Sequence, residues 1–120
     1  MAKKWALTKR AQYSAVYKSG KAWADNLIII KILPNQLEYS RYGFSVSKEA
    51  GKAVVRNRIR RLLREIARTV LVKPGWDIVF IARKATSAAD YHQLEKSIVT
   101  LLSQADLLAD QDEMVCSGVD

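Results

Sequence analysis

The chain has almost no residues with which to do metal or thiol chemistry. Its 120 residues include one cysteine, Cys116, and one histidine, His92. A single cysteine excludes a disulfide framework within the chain, which agrees with a reducing, cytoplasmic setting. One cysteine and one histidine cannot supply a zinc site of Cys and His ligands. Nor do they make a nucleophile and its base, because Cys116 falls in a polar tail and His92 on the surface of a predicted helix. Glycine and proline are sparse, at 5 and 2, and no glycine-rich phosphate loop is present. No apolar run approaches the roughly 18 residues of a membrane span, and the N-terminus has no signal-peptide core. Acids are scarce where bases are dense, and no carboxylate cluster stands out. The chain is poorly equipped to hydrolyse anything by itself.

Basic residues are what it has, unevenly placed. The net charge is +8. Residues 1–84 carry 19 Lys/Arg against 5 Asp/Glu, and residues 85–120 carry 1 against 7. A polyanion therefore meets the first two-thirds of the chain. The charge peaks between Lys48 and Val70. Val55, Ile59, Leu62, Leu63, Ile66, Ala67 and Val70 recur at three- and four-residue spacing, which predicts one helix face over an arc of about 140°. Asn57, Arg58, Arg60, Arg61, Arg64 and Arg68 fall opposite, with Arg56 at the entrance and Glu65 the only acid. Like charges one turn apart repel, so a dense arginine row is costly for a face that meets only water. Guanidinium forks grip phosphate at two points and stack on bases. The helix is read as a docking face for nucleic acid.

The remainder predicts an α+β sandwich in the order helix, two or three strands, helix, strand, helix. Thr8 is the expected cap of a first helix over 9–19, stopped by Gly20. Tyr13, Val16 and Tyr17 share a face of it. The two tyrosines either pack on the core or line a groove ready to stack on bases. Residues 21–33 read as strand with a break at 24–26. Ile28, Ile30 and Ile32 point one way, Ile29 and Lys31 the other. After a turn at 34–36, residues 37–47 read as a strand forming an antiparallel hairpin with the one before. In it Tyr42, Phe44 and Val46 oppose Arg41, Gly43, Ser45 and Ser47, a small polar face with room for something to lie on it. Residues 48–52 are expected as loop and 76–82 as an interior strand. Asp90 with Gln93 is a capping box for a last helix whose Tyr91, Leu94, Ile98, Leu101, Leu102, Ala105 and Leu108 pack on the sheet. Residues 1–108 make one domain, and 109–120 an acidic tail expected to be disordered.

The stretch around the arginine helix resembles the signature of the bacterial ribonuclease P protein subunit. The residues that carry it are Gly43-Phe44-Ser45-Val46-Ser47-Lys48, Gly51, Ala53-Val54, Arg56-Asn57-Arg58, Arg61-Leu62 and Arg64. Tyr13 and Tyr17 stand where the family has paired aromatics, and Ile81-Ala82-Arg83-Lys84 where its fourth strand exits. The resemblance covers roughly residues 3 to 108.

That resemblance implies a ribosomal protein S5 domain 2-like fold: an α-β-β-β-α-β-α sandwich, mostly antiparallel, with a left-handed βαβ crossover around the arginine helix. It implies a partner to a catalytic RNA that removes the 5′ leader of precursor tRNA with bound Mg²⁺, the hydrolysis being the RNA's and no catalytic or metal-binding residue the protein's. Arg56, Asn57, Arg58, Arg61 and Arg64, with Arg60 and Arg68 on the same face, would contact the catalytic RNA or help organise metal beside it. Tyr13, Tyr17, Ile29, Lys31, Ser45, Ser47 and Lys48 would line a cleft for the single-stranded leader. Two departures stand out: Tyr13 and Tyr17 where many members have Phe, and Glu49 where many have a basic residue. Composition alone fits a ribosomal-type structural RNA-binding protein equally well. A self-sufficient nuclease lacks its acid–base or metal constellation.

Overall fold

A computed structural model describes residues 6–108. The expected acidic tail at 109–120 and Cys116 lie outside the described residues. The elements run α1 (Arg10–Ser19), β1 (Lys21–Ala24), β2 (Ile28–Pro34), β3 (Arg41–Val46), α2 (Ala53–Thr69), β4 (Trp76–Ala82) and α3 (Tyr91–Gln104). Short 3₁₀ turns at Lys48–Ala50 and Lys84–Ala88 precede α2 and α3.

Local chemistry sets most boundaries. At α3 the Asp90 carboxylate accepts the Gln93 N–H at 2.9 Å, and the Gln93 amide oxygen accepts the Asp90 N–H at 2.9 Å. This is the predicted capping box. α1 starts one residue later than expected, after Lys9 rather than Thr8. The Gln12 amide oxygen decides this by accepting the N–H groups of both Thr8 and Lys9, at 2.9 and 3.0 Å. α1 stops at Gly20 because only a residue without Cβ fits there. A Cβ would lie 2.4 Å from the Val16 carbonyl oxygen and 2.7 Å from that of Ile32. Between β1 and β2 the Asp25 carboxylate accepts the N–H groups of Leu27 and Ile28, at 2.9 and 2.8 Å, which makes the break at 24–26 a turn.

The sheet order is β1-β2-β4-β3. β1 and β2, and β2 and β4, pair antiparallel, whereas β3 and β4 are parallel neighbours. The expected hairpin between β2 and β3 is therefore not formed, and the strand expected over 37–47 is limited to Arg41–Val46. β4 takes the place beside β2. The reason lies in the side chains. β4 is buried at Asp77, Ile78, Val79, Phe80 and Ala82, and such a strand gains most where both faces are covered. β3, with Arg41, Gly43 and Ser45 on one face, tolerates the edge. Asn35 fixes the exchange: its N–H donates to Gly75 O at 2.9 Å and its side-chain amide to Asp77 at 2.9 Å.

The two faces differ. Ile28, Ile30, Ile32, Tyr42, Phe44, Val46, Ile78, Phe80 and Ala82 join α2 and α3 in the main core. Ile59, Leu63 and Ile66 of α2 are fully buried there, each contributing about 1.5–3 kcal/mol by area. Leu94, Ile98, Leu101 and Leu102 of α3 are buried as predicted, with Tyr91, Ala105 and Leu108 packed at the margin. Among the described residues the other face carries α1, over a small cluster of Leu7, Val16 and Val79 with Tyr13, Leu33 and Ile81 around it.

Candidate nucleic-acid interface

α2 is a 17-residue helix whose core face is as predicted. Its arginines fall into three rows. Asn57 and Arg61 form an exposed crest. Arg60 and Arg64 lie on the flank towards β3. Arg58 lies on the other flank, its guanidinium donating to Ser87 O at 3.2 Å. Arg60 donates to the Asn57 side-chain oxygen at 3.0 Å, so Asn57 braces the row. Arg56 is half-buried, its Nε without a hydrogen-bond partner. Arg68 stands apart, at a cavity it shares with Glu38, Tyr39 and Leu71. The ion pairs Arg41–Asp77 and Lys73–Asp106 lie off α2. Among the described residues Arg56, Arg58, Arg60, Arg61 and Arg64 have no carboxylate within ion-pair reach.

The second site lies across the sheet. Strand register sets two rows of side chains on the α1 face: Lys31, Val79 and Gly43 in one, Ile29, Ile81 and Ser45 in the other. α1 covers the first row. Its Tyr13 ring lies on Gly43, where a Cβ would come within 2.6 Å of the ring. Val79 beneath is fully buried. At the far end Tyr17 sits beside β2, with Lys31 Nζ 5.4 Å from its ring centroid. The second row stays half-buried and open. It is the floor of a cleft whose wall is α1, with Lys31 at one end and exposed Lys48 near the other.

The structure separates the two tyrosines. Tyr13 packs into the small core and its hydroxyl donates to Leu7 O at 3.4 Å. Tyr17 is 39% exposed, with its ring 6.4 Å from that of Tyr13. Part of the room expected on the small face of β3 is therefore filled by Tyr13. Ser47 is occupied differently: its hydroxyl accepts the Glu49 N–H at 3.1 Å and caps the 3₁₀ turn. The sequence reading missed Ile81 and Gly43. In an all-apolar strand alternation does not say which face Ile81 joins, and Gly43 matters only once Tyr13 lies on it.

A family model described as Ribonuclease P matches residues 1–106. The chain is 45% identical over 114 residues to the ribonuclease P protein component of Dehalococcoides mccartyi, covering 95% of each. It is 45% identical to that of Clostridioides difficile, covering 84% of this chain and 91% of the relative.

The chain belongs to the ribonuclease P protein family.

The fold agrees. The ribonuclease P protein of Staphylococcus aureus superposes with a TM-score of 0.79 at 29% identity, over 89% of this chain and 100% of that one. That of Thermotoga maritima gives 0.74 at 31%, over 82% and 96%. These comparisons favour a ribonuclease P component, part of an endoribonuclease holoenzyme, over a ribosomal-type structural protein. An RNA partner follows from that ribonucleoprotein. Among the described residues no helix is long and apolar enough to cross a membrane. His92 is exposed on α3, edge-on to Tyr91.

Proposed function

We propose that the two surfaces divide the work of a ribonuclease P protein subunit. The α2 bank, through Arg56, Asn57, Arg58, Arg60, Arg61, Arg64 and Arg68, attaches to the folded catalytic RNA. The α1 cleft, through Tyr13, Tyr17, Ile29, Lys31, Ser45 and Lys48 with Ile81 in its floor, holds the 5′ leader of precursor tRNA. Ser47 contributes by fixing the turn that presents Lys48. The observation that carries this reading is that, among the described residues, Arg56, Arg58, Arg60, Arg61 and Arg64 have no carboxylate partner, on the opposite side of the sheet from an open cleft with an exposed aromatic ring and a lysine.

The physics suits the task. A leader of variable sequence is best held by ring faces and backbone charge rather than by base edges. Arginines on a helix suit the phosphates of folded RNA. The hydrolysis belongs to the RNA. Mg²⁺ held by that RNA would supply an activated water and charge stabilisation at the leaving oxygen. A guanidinium bank attracts phosphate and repels a divalent cation. The protein binds, orients and neutralises.

Reconstitution tests it. Adding the protein to a catalytic RNA at low Mg²⁺ should raise both precursor-tRNA cleavage and affinity for leader-bearing substrate. No gain in either refutes the reading.

A further inference from the structure

The sheet ends on β3, and among the described residues the outer edge of that strand is only partly covered. Ala6 bridges Tyr42, with the Leu7 N–H donating to Tyr42 O at 2.8 Å. Among the described residues no strand pairs with that edge further on. Where the cover stops there is a cavity of about 280 Å³, lined by Leu7, Tyr13, Tyr42, Phe44, Arg60 and Arg64. Among the described residues no carboxylate lines it.

Its walls come from three elements and are held in place. Tyr42 and Phe44 both stack on Phe80, with centroids 6.0 and 5.7 Å away and planes within 18° and 15°. The Tyr13 ring is fixed against Gly43. Arg60 and Arg64 stand one helical turn apart, where like charges repel and an anion between them relieves the repulsion. Rings for a base and two guanidiniums for a phosphate are the recognition chemistry of a single nucleotide. The volume lies near the lower end, about 300 Å³, of small-ligand sites, which limits it to one.

We propose that this cavity is a nucleotide subsite for single-stranded RNA. One leader nucleotide rounds the edge of β3 here, its base against Tyr13 and Phe44 and its phosphate between Arg60 and Arg64. The proposal rests on the leader reading above and extends it. Tyr13 belongs to the cleft and the two arginines to the α2 bank, so the subsite joins both surfaces into one track.

The test uses holoenzyme reconstituted with the catalytic RNA, and precursor tRNAs in which one abasic nucleotide is stepped along the leader. One position should weaken binding on the order of tenfold in the unsubstituted protein. That penalty should vanish in Phe44→Leu and persist in Tyr17→Ala. A neutral methylphosphonate at the adjoining linkage should lose its own penalty in Arg64→Gln, an exposed position that does not support the core. If every abasic and methylphosphonate penalty survives in both cavity variants while Tyr17→Ala erases one elsewhere, the subsite is wrong and the leader cleft stands. If Tyr17→Ala erases none either, the leader reading falls and the subsite with it. A uniform loss at all positions in Phe44→Leu marks that ring as structural and overturns its role. Should Phe44→Leu fail to fold, the Arg64→Gln arm decides alone.

Discussion

Arg41 on β3 and Asp77 on β4 meet at two points, Nε to Oδ1 at 2.8 Å and Nη2 to Oδ2 at 2.7 Å. Asp77 is 5% exposed and also accepts from Asn35. The Asp77 carboxylate raises the Arg41 pKa above its ordinary value. The pair clamps the edge strand to the centre of the sheet and places the cavity wall of Tyr42 and Phe44. Arg41→Met leaves a buried carboxylate without its counter-charge. It should cost about 3 kcal/mol, read by urea unfolding, without altering the charge of the α2 bank.

Arg61 is exposed on the α2 crest and has no carboxylate partner among the described residues. Arg61→Ala should therefore leave the fold intact and weaken RNA binding. The slope of log K against log salt should fall by about 0.7–0.9, the share of one phosphate contact. An unchanged slope would place Arg61 off the RNA.

Tyr17 is the exposed ring of the cleft wall. Tyr17→Ala should lower affinity for leader-bearing precursor by about 1–3 kcal/mol and leave mature tRNA binding unchanged. Equal loss on both substrates would show a purely structural ring.

Gly43 is held small by Tyr13. Gly43→Ala brings a methyl within 2.6 Å of that ring. The overpacking should cost about 1–3 kcal/mol and displace the cleft wall. Gly43→Ala combined with Tyr13→Ala should recover part of the stability, measured by thermal unfolding.

Asp25 gives a pH signature. Burial works against its charge, but the Ser97 hydroxyl and the N–H groups of Ile28 and Leu27 outweigh it, with help from Arg83, and the pKa is lowered below 3.8. A carboxylate depressed on folding stabilises the protein above its unfolded pKa. That stability is lost as pH falls through the folded value. Asp25→Asn should therefore flatten the fall in unfolding free energy below pH 3.8. An unaltered acid limb would show that Asp25 does not contribute to it.

Periodicity and capping chemistry were legible in the residues. The α2 pattern separated core from arginine face, Asp90 and Gln93 fixed the start of α3, and Ile28, Ile30 and Ile32 chose the core side of β2. These are local rules: side-chain direction repeats with the backbone, and a cap needs only its neighbours. The expected hairpin failed because a short connection suggests pairing but cannot weigh it against a more apolar strand arriving later in the chain. The role of Thr8 was misplaced by one residue because Gln12 offers its amide to two N–H groups at once.

By itself the sequence determined the class of fold and the basic face of α2, since charge density and helical spacing are properties of the chain. Only tertiary structure decided that β4 separates β2 from β3, that Ile81 joins Ile29 and Ser45 as a floor, and that Tyr13 is held while Tyr17 is free to meet a ligand. Those outcomes depend on which surfaces compete for burial, and that competition is settled between segments far apart in sequence.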